Sequence, residues 1–354
     1  MGERSHIIAC VWDFDRTLIP GNMQVPMFAE YGIDERFFWQ TINQFTDRMQ
    51  RRGVYLSGTL AYLNFVLALV QQGRLPGLSK SHLKEYGQQL TYFPGVPEIF
   101  SLLRNDVEQD PCFRSYSISL EHYVVSSGHI EIIRGSQVAL HMEAIFASEF
   151  LEGEIDALAE KFQFGSIATE LVDSSSGVSK AYNSVENLEE FLADDPPEAT
   201  VELQEGDKKV IRQIACVVDH TQKTRCLFEI NKGCNKNRAI DVNAVIESDV
   251  RRIPFQNMIY IADGPSDVPA FSVIRGHGGK AFAVYNPEDE REFEQNDRML
   301  AAGRIDAYGP ADYREGSSTT RWLRMHLKKI AQRIVDEECR AAEDNPGKPP
   351  EHLH

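Results

Sequence analysis

The chain has 354 residues, 42% hydrophobic and 25% charged, with a formal net charge of −16 at pH 7. Such a composition is that of an ordinary globular protein, long enough for a well-buried core. The acidic balance speaks against a general nucleic-acid binder or an anionic-membrane binder, both of which need a basic surface.

The N-terminal "MGERSHIIAC" has no long apolar signal core. Residues 6–15, "HIIACVWDFD", form a continuous apolar run ending in two acids, the pattern of a strand buried on both faces. Residues 21–90 read as helical. Phe38, Ile42, Phe45 and Met49 fall on one helix face, and 59–70, "TLAYLNFVLALV", is apolar nearly all round. That stretch is too short to span a bilayer, which takes about 20 apolar residues. At 92–104 a Pro/Gly turn leads into a helix opened by Pro97.

"HYVVSSG" (122–128) reads as a second strand, "HIEIIRGSQVAL" as the helix after it, and "AIFASEF" (144–150) as a third strand, giving a right-handed parallel crossover. Residues 151–208 look like an inserted acidic excursion, with nine acids and one base between Glu186 and Lys208. "KVIRQIACVVDH" (209–220) and "RCLFEIN" (225–231) read as two strands of a hairpin. "NMIYIADG" (257–264), "KAFAVYN" (280–286) and "RIDAYG" (304–309) read as further strands. Leu323, Leu327, Ile330 and Ile334 mark a closing amphipathic helix, and the polar tail 340–354 reads as disordered.

The six cysteines, at 10, 112, 216, 226, 234 and 339, form no CxxC pair, and the ten histidines show no ligand spacing, so a reducing, cytoplasmic setting is expected. The expected fold class is α/β. It is a Rossmann-like, doubly wound parallel-sheet core (1–20 and 91–335) with a helical cap domain (21–90).

In an open α/β sheet, ligands bind beyond the carboxyl ends of the strands. Asp13 and Asp15, Ser126 and Ser127, and Asp263 all stand at such ends. Two carboxylates two residues apart repel and raise each other's pKa. With Asp263 added, the cluster calls for a hard cation, and all-oxygen ligands suit Mg²⁺. Carboxylates, Mg²⁺ and a lysine are what phosphoryl transfer needs. A carboxylate can also be the nucleophile while its neighbour moves the proton.

These residues carry a resemblance. "DFDRT" resembles the first motif of the haloacid dehalogenase (HAD) superfamily, and "VVSSG" the second. "NKGCNKNRAI" resembles the third and "IADGPSD" the fourth, all in family order. The helical stretch between the first two motifs is similar to the phosphoserine-phosphatase-like branch. The resemblance implies Asp13 as nucleophile and metal ligand, and Asp15 as general acid/base with its carbonyl on the metal. It implies that Thr17 steadies the loop and that Ser126, Ser127 and Gly128 hold the phosphate. Lys236 would screen Asp13, Asp263 would be the second metal carboxylate, and Asp267 an outer one. Two departures stand out: Arg16 replaces a common glycine, and 151–208 exceeds the short hairpin usual in that branch.

Plainer readings exist for each feature. Asp-x-Asp also suits turns and caps, Ser126 could cap a helix, and Lys236 competes with Lys232 and Lys180. "GHGGK" (276–280) lacks the context of a phosphate loop and reads as a turn. Arg48, Arg51 and Arg52 read as a solvated helix face. The expected activity is Mg²⁺-dependent hydrolysis of a small phosphate monoester, with no nucleic-acid or membrane partner and an open oligomeric state. Another HAD reaction (phosphomutase or dehalogenase) and a catalytically silent interaction protein are the alternatives.

Overall fold

A computed structural model of the chain describes residues 6–156, 209–247 and 250–343. Of the acidic excursion expected at 151–208, residues 157–208 lie outside the described residues, as does the tail from 344.

Among the described residues, seven strands form one sheet: β1 (Ile7–Trp12), β2 (Ser119–His129), β3 (Ala144–Leu151), β4 (Gln213–Cys216), β5 (Met258–Ala262), β6 (Lys280–Tyr285) and β7 (Ala307–Pro310). Their order is β4-β3-β2-β1-β5-β6-β7. Every neighbouring pair is parallel except β3 with β4. From β1 the chain builds outward on the β2 side, then returns to build on the β5 side. The end of β1 is therefore the topological switch point, where an open α/β sheet leaves a crevice.

Alternate residues of β1 serve opposite faces, as a pleated strand requires. Ile8, Cys10 and Trp12 pack with helices α5 (Glu98–Glu108) and α11 (Ser318–Glu343). Ala9 and Val11 pack with α8 (His220–Lys232) and α9 (Val268–Gly276). With apolar cover on both sides, the strands read as unbroken apolar runs rather than alternating ones.

The sequence between β1 and α5 folds into α1 (Val25–Tyr31), α2 (Glu35–Arg51), α3 (Gly58–Gln71) and α4 (Lys80–Gly87). Asp34, Ser57 and Ser79 cap the last three, each accepting a backbone N–H of the first turn, the usual way to satisfy those orphan donors. Buried Phe28, Phe38, Leu63 and Val66 join the same core cluster as Trp12. Two short helices, α6 (Pro111–Ser115) and α7 (Ile130–Gly135), flank β2, and α10 (Glu290–Ala301) lies between β6 and β7. Among the described residues no helix is long and apolar enough to cross a membrane.

The structure corrects two local expectations. "RCLFEIN" is not a strand: it lies inside α8, and β4 pairs with β3 instead of forming a hairpin with it. A short apolar run is ambiguous between strand and helix on periodicity alone. Here the Asp219 carboxylate decides it, accepting the N–H groups of Thr221 and Gln222 as an N-cap. Residues 340–343, expected as the start of a disordered tail, are helical instead and belong to α11.

Candidate active site

Register sets the site. Trp12 stands opposite Val124 on one side and Ile261 on the other. The residues just past those positions therefore emerge at one edge of the sheet. The Asp13 N–H extends the ladder by donating to the Ile261 carbonyl at 2.8 Å. The chain then turns tightly, with the Leu18 N–H on the Phe14 carbonyl at 2.9 Å and Arg16 in the left-handed region at φ 56°. That conformation is costly for a residue with a Cβ, and glycine would adopt it freely.

Asp13 is 5% exposed and Asp267 fully buried. Between them sits the ammonium of Lys223, 2.8 Å from Asp13 Oδ1 and 2.7 Å from Asp267 Oδ1. Asp267 Oδ1 also accepts the Tyr260 hydroxyl at 2.6 Å, and its Oδ2 accepts the Ser266 hydroxyl at 2.8 Å. Both of its oxygens are thus taken by donors. Asp263 completes the group: carboxylate oxygens of Asp13, Asp263 and Asp267 all lie within 4.8 Å of one another.

Lys223 pairs with two of the three acids, and the electrostatics reflect the crowding. Burial pushes the Asp13 carboxyl up to about 6, with Lys223 opposing and Asp267 adding to the shift. Burial, then Asp13 and Asp267, hold Asp263 well above the usual carboxylate range. Burial and the neighbouring Asp13 raise Asp15 to about 7, against the Met23 N–H that donates to its Oδ1 at 2.8 Å. An excess of close, dehydrated carboxylates is the donor set that a hard divalent cation fits.

The remaining expected residues fall nearby. Thr17 is fully buried; its carbonyl accepts the Tyr313 hydroxyl at 2.6 Å. Ser126, Ser127 and Gly128 form the irregular end of β2, where pairing with β3 shifts register. Ser126 Oγ accepts the Gly128 N–H at 3.1 Å. A Cβ at Gly128 would lie 2.1 Å from Met23 Cε, so that methionine side chain packs directly on the glycine and would have to move for a larger residue.

Lys236 is not brought to this cluster. Helix α8 ends at Lys232, with Gly233 in the left-handed region at φ 82°. Lys236 follows in a turn, its ammonium paired with Glu143. Lys232 is engaged by the carbonyls of Val242 and Ala244 at 2.6 and 2.7 Å, and Lys180 lies outside the described residues. The lysine at the acids is Lys223, which the motif pattern did not single out. Its signal was present: Lys223 precedes Cys226, Leu227 and Ile230 by three, four and seven residues, so it sits on the buried face of α8. A lysine on an apolar helix face is almost never fully buried unless paired.

No family model matches the chain. A curated protein of Borreliella burgdorferi, described as an uncharacterized protein, is 29% identical over 327 residues, 91% of this chain and 97% of its own. Among solved structures, a HAD family hydrolase from Salmonella enterica serovar Typhi aligns at 13% identity and TM-score 0.44, over 86% of this chain and 67% of its own. A phosphoserine phosphatase, solved as a phospho-aspartyl intermediate analogue, aligns at 13% and 0.42, over 86% and 93%. A probable phosphoserine phosphatase from Vibrio cholerae aligns at 10% and 0.43, over 94% and 68%.

Proposed function

We propose that this chain is a Mg²⁺-dependent phosphohydrolase of the HAD type, cleaving a small phosphate monoester through an aspartyl-phosphate on Asp13. The observation that carries this reading is the buried Lys223 ammonium bridging Asp13 and Asp267 beside Asp263, at the switch point of the sheet. A structural ion pair would need one carboxylate. Here one lysine meets two, with a third carboxylate beside them, which leaves room for a bound cation to complete the charge balance.

In this reading Asp13 attacks phosphorus: an O–P bond forms to its carboxylate as the bond to the leaving oxygen breaks. Asp15, held near neutrality in its titration and oriented by the Met23 N–H, gives its proton to that oxygen. It then takes one from water as water attacks the same phosphorus and releases the Asp13 carboxylate. Lys223 screens Asp13 from the phosphate charge. The Ser126 hydroxyl and the Ser127 amide hold the phosphate oxygens, the Gly128 N–H fixes the Ser126 oxygen from behind, and Thr17 steadies the loop. Asp13, the Asp15 carbonyl and Asp263 would hold Mg²⁺, which would supply charge neutralisation for the phosphoryl group. Asp267, its oxygens taken by Lys223, Tyr260 and Ser266, backs the site. The helices at 21–90 act as the cap that excludes water and selects the substrate.

Turnover of a chromogenic aryl phosphate, with Mg²⁺ and with chelator, tests the proposal. Expected are metal-dependent release and its loss in Asp13→Asn with the fold intact by circular dichroism. Full activity in that variant, or no release by the wild type under either condition across a panel of phosphorylated metabolites, would overturn it.

A further inference from the structure

A backbone carbonyl beside the phosphate-holding residues accepts two hydroxyls from distant parts of the chain. The Ser127 carbonyl takes the Tyr62 hydroxyl at 2.9 Å and the Ser148 hydroxyl at 3.1 Å. Tyr62 belongs to α3 and is 5% exposed; Ser148 belongs to β3 and is fully buried. Ser148 Oγ in turn accepts the Val218 N–H at 3.0 Å. Val218 immediately precedes Asp219, the N-cap of the helix that carries Lys223.

We propose that Ser148 and Tyr62 are positioning residues, a two-hydroxyl clamp that orients the Ser127–Gly128 peptide for phosphate binding and ties it to the Lys223 helix and to α3. The proposal rests on the phosphohydrolase reading above. Its physical basis is the peptide plane. Fixing the carbonyl on one side fixes the Gly128 N–H on the other, where it meets Ser126 Oγ. β2 pairing does not do this job, because the ladder to β3 is irregular between Val125 and His129. The irregular strand end frees the Ser126–Gly128 segment for a ligand, and the two hydroxyls replace the lost ladder bonds. Ser148 is the hinge pin: it touches the phosphate segment and the start of the lysine helix through one oxygen. Tyr62 brings the second hydroxyl to the same carbonyl from α3.

The test compares Ser148→Ala, Ser148→Cys, Ser148→Thr and Tyr62→Phe with the wild type. It reads kcat and KM for aryl phosphate and the affinity for orthovanadate by calorimetry, with Mg²⁺ present. Cysteine keeps the size of serine but is a weak donor, so it separates packing from hydrogen bonding. Expected is about a tenfold loss in kcat/KM and in orthovanadate affinity for Ala, Cys and Phe, the scale of one lost hydrogen bond to a positioned group. Thr is expected to recover most of it. The combination of Ser148→Ala with Tyr62→Phe is expected to depart from additivity, since both act on one acceptor. Wild-type orthovanadate affinity and kcat/KM in Ser148→Cys and Tyr62→Phe would overturn the clamp alone, even if Ser148→Ala failed to fold. A wild type that neither turns over phosphate esters nor binds orthovanadate would overturn the phosphohydrolase reading and the clamp with it.

Discussion

Lys223 shows what a single residue contributes. It is 2% exposed and makes two charge-assisted contacts with carboxylates that are themselves buried. Removing one partner of a buried ionic group costs about 3–5 kcal/mol, because the other charges are left uncompensated. Lys223→Met is therefore expected to lower stability by about 3 kcal/mol in metal-free urea titrations and to cut turnover by ~100-fold or more. Lys236→Met, which loses only a half-exposed pair with Glu143, is expected to leave turnover unchanged. His122 is a second case. Its Nδ1 faces the Trp12 indole N–H at 3.2 Å and its Nε2 the Phe100 carbonyl at 3.1 Å. Only the neutral ring with hydrogen on Nε2 satisfies both, and burial holds its pKa down at about 3. Below the ordinary histidine value the unfolded chain binds a proton that the native ring refuses. Stability is therefore complete above about 6.5 and falls as pH drops toward about 3, by up to ~1.4 kcal/mol per pH unit from this group. Urea midpoints across that window check it, and His122→Asn is expected to flatten the slope. Burial also lowers His129, to about 4, so part of the slope remains.

At the scale of the element, α8 decides where the lysine goes. Its first turn depends on Asp219, which accepts two backbone N–H groups at 2.9 and 2.8 Å. Asp219→Ala is expected to cost about 1 kcal/mol, and more in kcat than an exposed cap would, since the turn it holds precedes Lys223. The helix ends at Gly233, φ 82°, where a Cβ would lie 2.9 Å from Arg252 Cδ. Gly233→Ala meets both backbone strain and that contact, and is expected to lower the thermal midpoint. This element was also the hardest to read. Four apolar residues in seven, with cysteine and phenylalanine among them, look as much like a strand as like a helix face. By contrast β1, β2 and β5 were legible, because apolar residues buried on both faces leave an unbroken run that ends where the sheet ends.

At the scale of the molecule, the helical stretch 25–87 joins the sheet unit through more than its shared core. Helix α4 crosses α7 at Gly87 and Gly135. A Cβ on Gly87 would lie 2.1 Å from the Ile132 carbonyl oxygen, and one on Gly135 would lie 1.8 Å from that of Lys84. Neither glycine has a positive φ, so alanine would ordinarily favour the helix by up to ~1 kcal/mol. Here backbone meets backbone, and Gly135→Ala is expected to destabilise by about 1–3 kcal/mol or to push the helices apart. A rise in thermal midpoint would show that the two helices separate at no cost. Lys80 adds a polar seam at the same junction, paired with Glu149 at 3.0 Å and Glu131 at 3.5 Å.

The sequence by itself determined β1, β2, β3, β5 and β6 and the helical stretch after β1, and it put Asp13 and Asp263 directly after strands, since strand burial and strand termination are local properties of a run of side chains. It also placed Asp267 one short turn beyond Asp263. The tertiary structure alone decided which lysine meets the acids, that both oxygens of Asp267 are already engaged, and that Tyr62 and Ser148 share one carbonyl. Those facts depend on which helix face turns inward and on register between strands more than a hundred residues apart. Spacing along a chain encodes the face of an element, and packing alone chooses the partner that the face meets.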